Sequence, residues 1–303
     1  MVRNKFQLIA EIVIISFLAV ESCSAPQRTS TPFFDSDKAF EYLSSQVSFG
    51  SRVPGTKAHS DAHKWLVSIL HERTPHVSVQ PFRGNFNGYE VEMKNIMASF
   101  YPEKKERVLL CAHWDCRHLA DRDPDSTKWT QPVPGANDGA SGVAVLLEIA
   151  GILAETEPPV GVDIVFFDGE DQGEYGNNST WLLGSKYFAK AMPFSYHPEY
   201  AILLDMIGDK DLMLSSDVNS ISSAPNLWNS IVKHCESLGI PVSGEKIGIL
   251  DDHVPLIERG IRSVDIIDFN YPYWHTVSDT PDKCSGESLG KIGELVLRIL
   301  FEE

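Results

Sequence analysis

Acidic side chains and histidines follow four short apolar runs of this sequence, and these residue types can bind a metal or transfer protons. Two adjacent carboxylates, Glu170 and Asp171, follow the run Val162–Phe167. The other runs, each with the residues that follow it, are Val108–Ala112 with His113 and Asp115, Tyr200–Leu204 with Asp205, and Val264–Ile267 with the loop to His275. Short runs of apolar, β-branched residues predict strands buried on both faces. In an open α/β sheet, functional groups lie just beyond the carboxyl ends of such strands.

Strands that deliver several acids to one edge bring like charges together, and a bound divalent cation would keep such a cluster ionised. Each acid alone has a simpler explanation. Asp138 stands before a predicted helix and could cap it, and Asp205 could be a turn residue. The set indicates a metal centre because all its members fall at strand ends or at turns into helices.

The elements that must position these groups indicate an α/β fold. We expect a single globular domain, with a mixed, mostly parallel, twisted central sheet flanked by helices. Val77–Phe82 and Tyr89–Phe100 predict an antiparallel pair of strands. Apolar spacing predicts the helices Asp35–Gln46, Val143–Ala154, Trp181–Ala191, Leu227–Leu238, Val254–Arg259 and Ser288–Phe301, and a further helix that carries Trp65, Leu66, Ile69 and Leu70. Arg117–Gln131 is a long polar loop without periodicity, and loops of this length are either functional or loosely ordered.

The charge balance argues against nucleic acid as a partner. The 303 residues carry a formal net charge of −16, whereas a phosphate backbone requires a basic surface. The simplest consequence of this charge is solubility. We expect a monomer.

The N-terminus has the pattern of an export signal. Arg3 and Lys5 precede the apolar run Leu8–Val20, which is too short for a membrane span. Cys23 follows that run as in a bacterial lipoprotein signal, although a plain secretory signal also fits. We divide the chain into a signal (1–23), a tether (24–32) and one domain (33–303), and expect an exported, periplasmic protein that a lipid on Cys23 could anchor to the membrane.

Four further cysteines remain in the exported part: Cys111, Cys116, Cys235 and Cys284. An exporting compartment permits disulfides, and four cysteines allow three full pairings. Buried free thiols are the alternative.

The order of several motifs resembles the zinc aminopeptidase superfamily known as the M28 peptidases, and within it the glutaminyl cyclases. The resemblance runs from about Phe33 to the C-terminus. The motifs that carry it are Phe49–Thr56, Ala112–Asp115, Gly135–Gly142, Phe166–Asp171, Leu183–Ser185, Leu204–Gly208, Asp251–Pro255 and Trp274–Thr276. It implies a phosphorylase/hydrolase-like catalytic domain with a zinc site at the carboxyl ends of the strands.

Three features favour cyclase over aminopeptidase. These are Asp251-Asp252-His253, where aminopeptidases more often have Ser before Asp-His, Trp274 in place of Tyr before His275, and the run Phe166–Glu170. One feature departs from the pattern. Asp171 stands where most relatives have a second Glu, and its shorter side chain requires a shift of the backbone or of the metal.

The resemblance implies a role for each candidate residue. Asp138, Asp171 and His275 would bind one zinc ion, which leaves the open position that a catalytic zinc needs. A second site through His113 and Asp205 is not excluded. Glu170 would transfer the proton, with Asp251 and Asp205 as a hydrogen-bonded acid network beside it. Trp274 would line the substrate pocket. Trp181 and Trp129, in loops that flank the site, are further candidates to shape or cover it, and packing at the surface or in the core is the alternative for both.

The first hypothesis is therefore a zinc-dependent glutaminyl-peptide cyclotransferase that forms pyroglutamate on peptides and exported proteins with N-terminal Gln, releasing ammonia. The second is a zinc aminopeptidase on the same scaffold. A non-catalytic binding lipoprotein is the third, and it is disfavoured because every ligand position and the base position hold competent residue types.

Overall fold

The computed structural model describes residues 31–86 and 88–302. The predicted signal and all but the last two residues of the predicted tether lie outside the described residues. In the described part, no helix has the length and apolarity to cross a membrane.

A six-stranded sheet forms the centre of the described chain, in the order β1-β2-β4-β3-β5-β8. The strands are β1 (Val77–Phe86), β2 (Tyr89–Phe100), β3 (Arg107–His113), β4 (Gly161–Phe167), β5 (Ala201–Asp205), β6 (Leu214–Asp217), β7 (Val242–Ile247) and β8 (Ser263–Ile267). Strand β2 pairs antiparallel with both β1 and β4. The remaining pairs, β4 with β3, β3 with β5 and β5 with β8, are parallel. The predicted mixed, mostly parallel sheet is confirmed. The carboxyl ends of the four parallel strands therefore meet at one edge.

Helices cover both faces of this sheet. They are α1 (Ser36–Ser48), α2 (Lys57–Arg73), α3 (Ala140–Glu155), α4 (Leu183–Ala191), α5 (Val218–Ser223), α6 (Pro225–Leu238), α7 (His253–Glu258) and α8 (Gly286–Glu302). The larger core lies on the face of α1, α2, α3, α6 and α8, and α3 is buried along almost its whole length. A smaller core lies under α4 and α7. Burial of these apolar faces is the main stabilising contribution to the fold.

Two strands and one α-helix were not predicted from the sequence. β6 and β7 form a separate two-stranded parallel sheet, and α5 follows β6. β6 has the sequence Leu-Ser-Ser-Asp and lacks an apolar run, and the β7 side chains are partly or fully exposed. Helix α4 begins at Leu183, two residues later than predicted, because the chain turns through a left-handed Leu182.

The four cysteines of the domain are free and buried, so no disulfide joins them in the described structure. The structure therefore shows buried free thiols, the alternative to disulfides. The loop Arg117–Gln131 is ordered by backbone hydrogen bonds, from Ala120 N–H to Gln131 O (2.7 Å) and from Val133 N–H to Arg117 O (3.0 Å). A 3-10 turn at Ser126–Lys128 lies within it.

Candidate active site

Three side chains from separate elements converge at the carboxyl edge of the sheet. Asp138 lies in the turn before α3, Asp171 follows β4, and His275 lies in the loop after β8. His275 Nε2 is 2.9 Å from Asp171 Oδ1 and 3.7 Å from Asp138 Oδ2. One ligand atom from each residue lies within 4.8 Å of the other two. The structure thus brings together the three residues assigned to zinc by resemblance.

The other oxygen of Asp138 faces a second group of ligand-type residues. His113 Nε2 is 3.1 Å from both Asp138 Oδ1 and Asp205 Oδ1. A Cβ at Gly139 would lie 2.4 Å from the same nitrogen, so only glycine fits there. Burial alone would lower the pKa of His113, but hydrogen bonds to Asp115, Asp138 and Asp205 raise it well above its ordinary value.

Two carboxylate oxygens at this point test whether the residues fit a metal. Asp138 Oδ2 and Asp171 Oδ2 are buried and lack a hydrogen-bond partner among the described residues. A buried polar atom without a partner is costly, and a cation removes that cost. Two carboxylates and one imidazole are a donor set that zinc accepts in a catalytic site. The residues present therefore fit a zinc ion.

His275 is oriented by groups behind its ring. Its Nδ1 lies 3.1 Å from the Tyr175 hydroxyl and 3.4 Å from Asp121 Oδ1. Asp121 is held in turn by the Arg117 guanidinium (2.5 Å). Burial alone would lower the pKa of His275, but Asp171 and Asp121 raise it to about 9. Partners of this kind fix the ring and leave Nε2 directed at the metal position.

Glu170 lies next to the metal triad and faces the same cavity. Asp115 fixes the backbone of Glu170. The two carboxylate oxygens of Asp115 accept the backbone N–H groups of Glu170 (3.1 Å) and Asp171 (3.3 Å). Burial raises the pKa of Glu170 well above its ordinary value, and the charges of Asp171 and Asp251 raise it further.

The acid network beside Glu170 differs from the prediction. Burial and Asp205 raise the pKa of Asp251 to about 7. In the described part of the chain, however, no direct hydrogen bond joins the side chains of Glu170, Asp205 and Asp251. Asp205 is turned towards His113, and Asp251 Oδ1 accepts the N–H of Asp252 (2.5 Å). The three carboxyls interact through charge across the cavity.

The cavity in front of these groups has a volume of about 230 Å³. Trp181 and Trp274 line it. The Trp181 ring is parallel to His275, with 6.2 Å between ring centres, and the Trp274 ring centre lies 4.1 Å from that of His275. Trp129 lies elsewhere. Its indole is 48 % exposed and donates to Asp123 O (2.8 Å), so the structure does not place it in the pocket.

Several residues that shape the site were missed by sequence reasoning. Tyr175 and Asp121 contact His275 from loops without periodicity, and no signal pointed to them. Asp279 accepts the N–H groups of Asn137 (2.8 Å) and Asp138 (3.2 Å) and so fixes the turn that carries Asp138. The sequence identified Asp115 as an acid that follows a strand. That it accepts hydrogen bonds from two backbone N–H groups could be seen only in the structure.

Comparisons with known proteins identify the family and its relatives. Residues 95–300 match peptidase family M28. A glutaminyl cyclase of Bacteroides thetaiotaomicron, solved with N-acetylhistamine, is 34 % identical with a TM-score of 0.85, covering 90 % of this chain and 100 % of that one. A structure from the same organism, described as a leucine aminopeptidase precursor, is 34 % identical with a TM-score of 0.87, covering 90 % and 99 %. The mouse glutaminyl-peptide cyclotransferase-like protein is 26 % identical, covering 83 % of this chain and 72 % of its own length.

Proposed function

We propose, from the premise that this chain belongs to peptidase family M28, that it is a zinc-dependent glutaminyl-peptide cyclotransferase. It converts N-terminal Gln of peptides and exported proteins to pyroglutamate and releases ammonia. One observation carries the proposal. A carboxyl group with a raised pKa, Glu170, stands beside a three-residue metal triad in a cavity of about 230 Å³ with two indole walls.

Asp138, Asp171 and His275 would hold the zinc ion. When bound, zinc polarises the γ-carbonyl of the substrate glutamine and stabilises the negative charge that develops on its oxygen. The unpartnered oxygens of Asp138 and Asp171 support this assignment.

Glu170 would move the proton. The substrate α-amine must lose a proton to attack the side-chain amide carbon, and the leaving nitrogen must gain one to depart as ammonia. One carboxylate beside both atoms can accept the first proton and deliver it to the second. Its raised pKa supports this use, because it makes Glu170 a stronger proton acceptor than an ordinary carboxylate.

The indoles would fold the substrate for ring closure. Trp274 and Trp181 form apolar walls that exclude water from the reacting amide and hold the glutamine chain bent back on itself. Attack within one molecule gains most from such positioning, since no second reactant must be brought in. The charges of Asp251 and Asp205 would keep a proton on the acid group around Glu170.

An aminopeptidase is the second candidate, and a specific observation favours it. His113 and Asp205 are grouped with Asp138 on the side of its Oδ1 atom, so residues for a second cation lie together there. A peptidase would have to activate a water molecule, whereas the cyclase needs none.

Product analysis separates the two functions. The zinc-loaded protein is incubated with Gln-Gln-amide, and ammonia and free amino acids are measured together. The cyclase releases ammonia without a new amine, whereas a peptidase releases free glutamine. Release of free glutamine without ammonia would overturn the proposal. Leu-Gln-amide is the matched control, because only a peptidase can act on it.

We further propose that residues 1–23 direct export to the periplasm and that a lipid on Cys23 attaches the monomeric domain to the membrane. The basic and apolar pattern before Cys23 supports this assignment. Fractionation of cells that express the full chain, with Cys23→Ser as the comparison, tests it. The wild-type protein is expected in the membrane fraction and the variant in the soluble periplasm.

A further inference from the structure

Arg122 is an exposed cation at the edge of the cavity. Its backbone N–H donates to the carbonyl of His275 (3.1 Å), which fixes it next to the proposed metal site. Neighbouring cations of the same loop are already engaged by acids, Arg117 by Asp121 (2.5 Å) and Lys128 at 3.8 Å from Asp123.

Arg122 itself has no ion pair with a carboxylate in the described part of the chain. Such a cation is unusual here, since the sequence has 42 acidic residues against 26 Lys and Arg. Its charge is therefore available to a ligand.

Two aromatic rings hold the Arg122 guanidinium in place. Its central carbon lies 4.7 Å from the centre of the Tyr175 ring and 5.3 Å from that of the Trp274 ring. Cation–π contacts of this kind are favourable and restrict the side chain. Nε donates to the Tyr175 hydroxyl (3.1 Å). The terminal nitrogens keep their donors, and a guanidinium presents these in a planar fork that matches a carboxylate.

The same two rings line the cavity. A glutamine side chain that fills the cavity leaves the rest of its peptide at the mouth, where Tyr175 is 50 % exposed. The residue that follows the glutamine therefore passes near the fork of Arg122.

We propose that Arg122 is a specificity-determining residue that favours substrates with a side-chain carboxylate on the residue after the N-terminal glutamine. The inference rests on the proposed function for the identity of the first residue. An exposed ion pair is worth about a fivefold change in an equilibrium at most. We therefore expect kcat/KM to be about fivefold higher for Gln-Glu-amide than for the neutral analogue Gln-Gln-amide.

The test measures this ratio for the zinc-loaded protein and two variants. Arg122→Gln removes the fork, and Lys128→Gln is the matched control, because it removes one positive charge from the same loop without touching Tyr175 or Trp274. Both peptides end in an amide, so the Glu side chain is the sole carboxylate. We expect the preference to disappear in Arg122→Gln, to persist in Lys128→Gln, and to weaken as salt is added.

Three results would overturn the inference: no preference in the wild-type protein, a preference that Arg122→Gln retains, or an equal loss in both variants. The last would indicate a general field effect rather than a contact. Failure of the proposed function looks different, because glutamine would be released instead of ammonia. Even then the ratio of hydrolysis rates for the two peptides would measure the role of Arg122.

Discussion

Two buried clusters of aspartate and histidine lie close together in this molecule, and they differ in what surrounds them. In the first, Asp138, Asp171 and His275 converge at the cavity, and one oxygen of each aspartate lacks a hydrogen-bond partner among the described residues. In the second, His253 lies between Asp217 and Asp265, with Nε2 at 3.0 Å from Asp217 Oδ2 and Nδ1 at 3.8 Å from Asp265 Oδ2. All three residues of the second cluster are fully buried, and none of them lines the cavity.

The comparison shows that burial of acids and histidines does not by itself mark a functional site. The second cluster holds the cavity wall. Asp217 accepts the N–H of Ile249 (2.9 Å), the N–H of Ser220 (2.7 Å) and the His253 ring. Asn219 donates to the carbonyl of Ile249 (2.8 Å), so the peptide groups on both sides of Ile249 are held. Chemistry requires access to the cavity, which the first cluster has and the second lacks.

The largest expected effect is on Glu170→Gln in the first cluster. This change keeps the shape of the side chain and removes proton transfer, which is worth 10²–10⁴ in rate. We expect kcat for ammonia release to fall about a thousandfold while bound zinc is unchanged. Kinetics with Gln-Gln-amide and metal analysis check both parts. Turnover within tenfold of wild type would remove Glu170 from the role of proton carrier.

Removing a proposed metal ligand from the first cluster should weaken zinc binding, whereas a change in the second cluster should not. We expect His275→Ala to weaken zinc affinity at least a hundredfold, because changing even an outer partner of a ligand costs ten- to a hundredfold. His253→Gln is the matched control, since it changes a buried histidine of the second cluster and leaves the proposed ligands in place. Competition with a metal chelator measures both affinities. Equal losses in the two variants would show that the clusters are not functionally distinct.

The sequence predicted the position of the site better than its supporting contacts. Asp171, Asp205 and His275 were placed at one edge because apolar, β-branched runs before them predicted parallel strands, and those strands formed. The contacts behind the site could not be predicted. Tyr175 reaches His275 from a polar loop whose path is set by tertiary packing. Trp129 was a candidate for the pocket because its loop flanks the site. The sequence could not show that its side chain points away, because the direction of a loop side chain depends on tertiary packing.

The second cluster offers a matched pair of variants for stability. Asp217 and Asp265 are equally buried, but Asp217 makes several hydrogen bonds and Asp265 has none among the described residues. Although burial opposes it, the bond to His253 and those to backbone N–H groups lower the pKa of Asp217 to about 2. Burial and neighbouring carboxyls raise that of Asp265 well above its ordinary value. Asp217 is therefore charged at neutral pH, whereas burial disfavours the charged form of Asp265.

We expect Asp217→Asn to lower the free energy of unfolding by about 3 kcal/mol, because it weakens the hydrogen bonds that a buried carboxylate accepts from Ile249, Ser220 and His253. Asp265→Asn removes no side-chain hydrogen bond among the described residues and replaces a group whose charged form burial disfavours, and we expect a change below about 1 kcal/mol. Urea unfolding at neutral pH measures both. Equal losses would contradict the assignment of the charge to Asp217.

The smallest effect concerns the aromatic wall and again contrasts two regions. Trp274 lines the cavity beside His275, whereas Trp129 lies half-exposed on the loop outside it. Removing an indole that contacts the substrate costs about 1.5 kcal/mol, which corresponds to a KM about tenfold higher in Trp274→Ala. Trp129→Ala should leave KM for Gln-Gln-amide within about twofold of wild type, since that side chain bonds Asp123 O and faces solvent. A KM equally raised in both variants would contradict the placement of Trp129 outside the pocket.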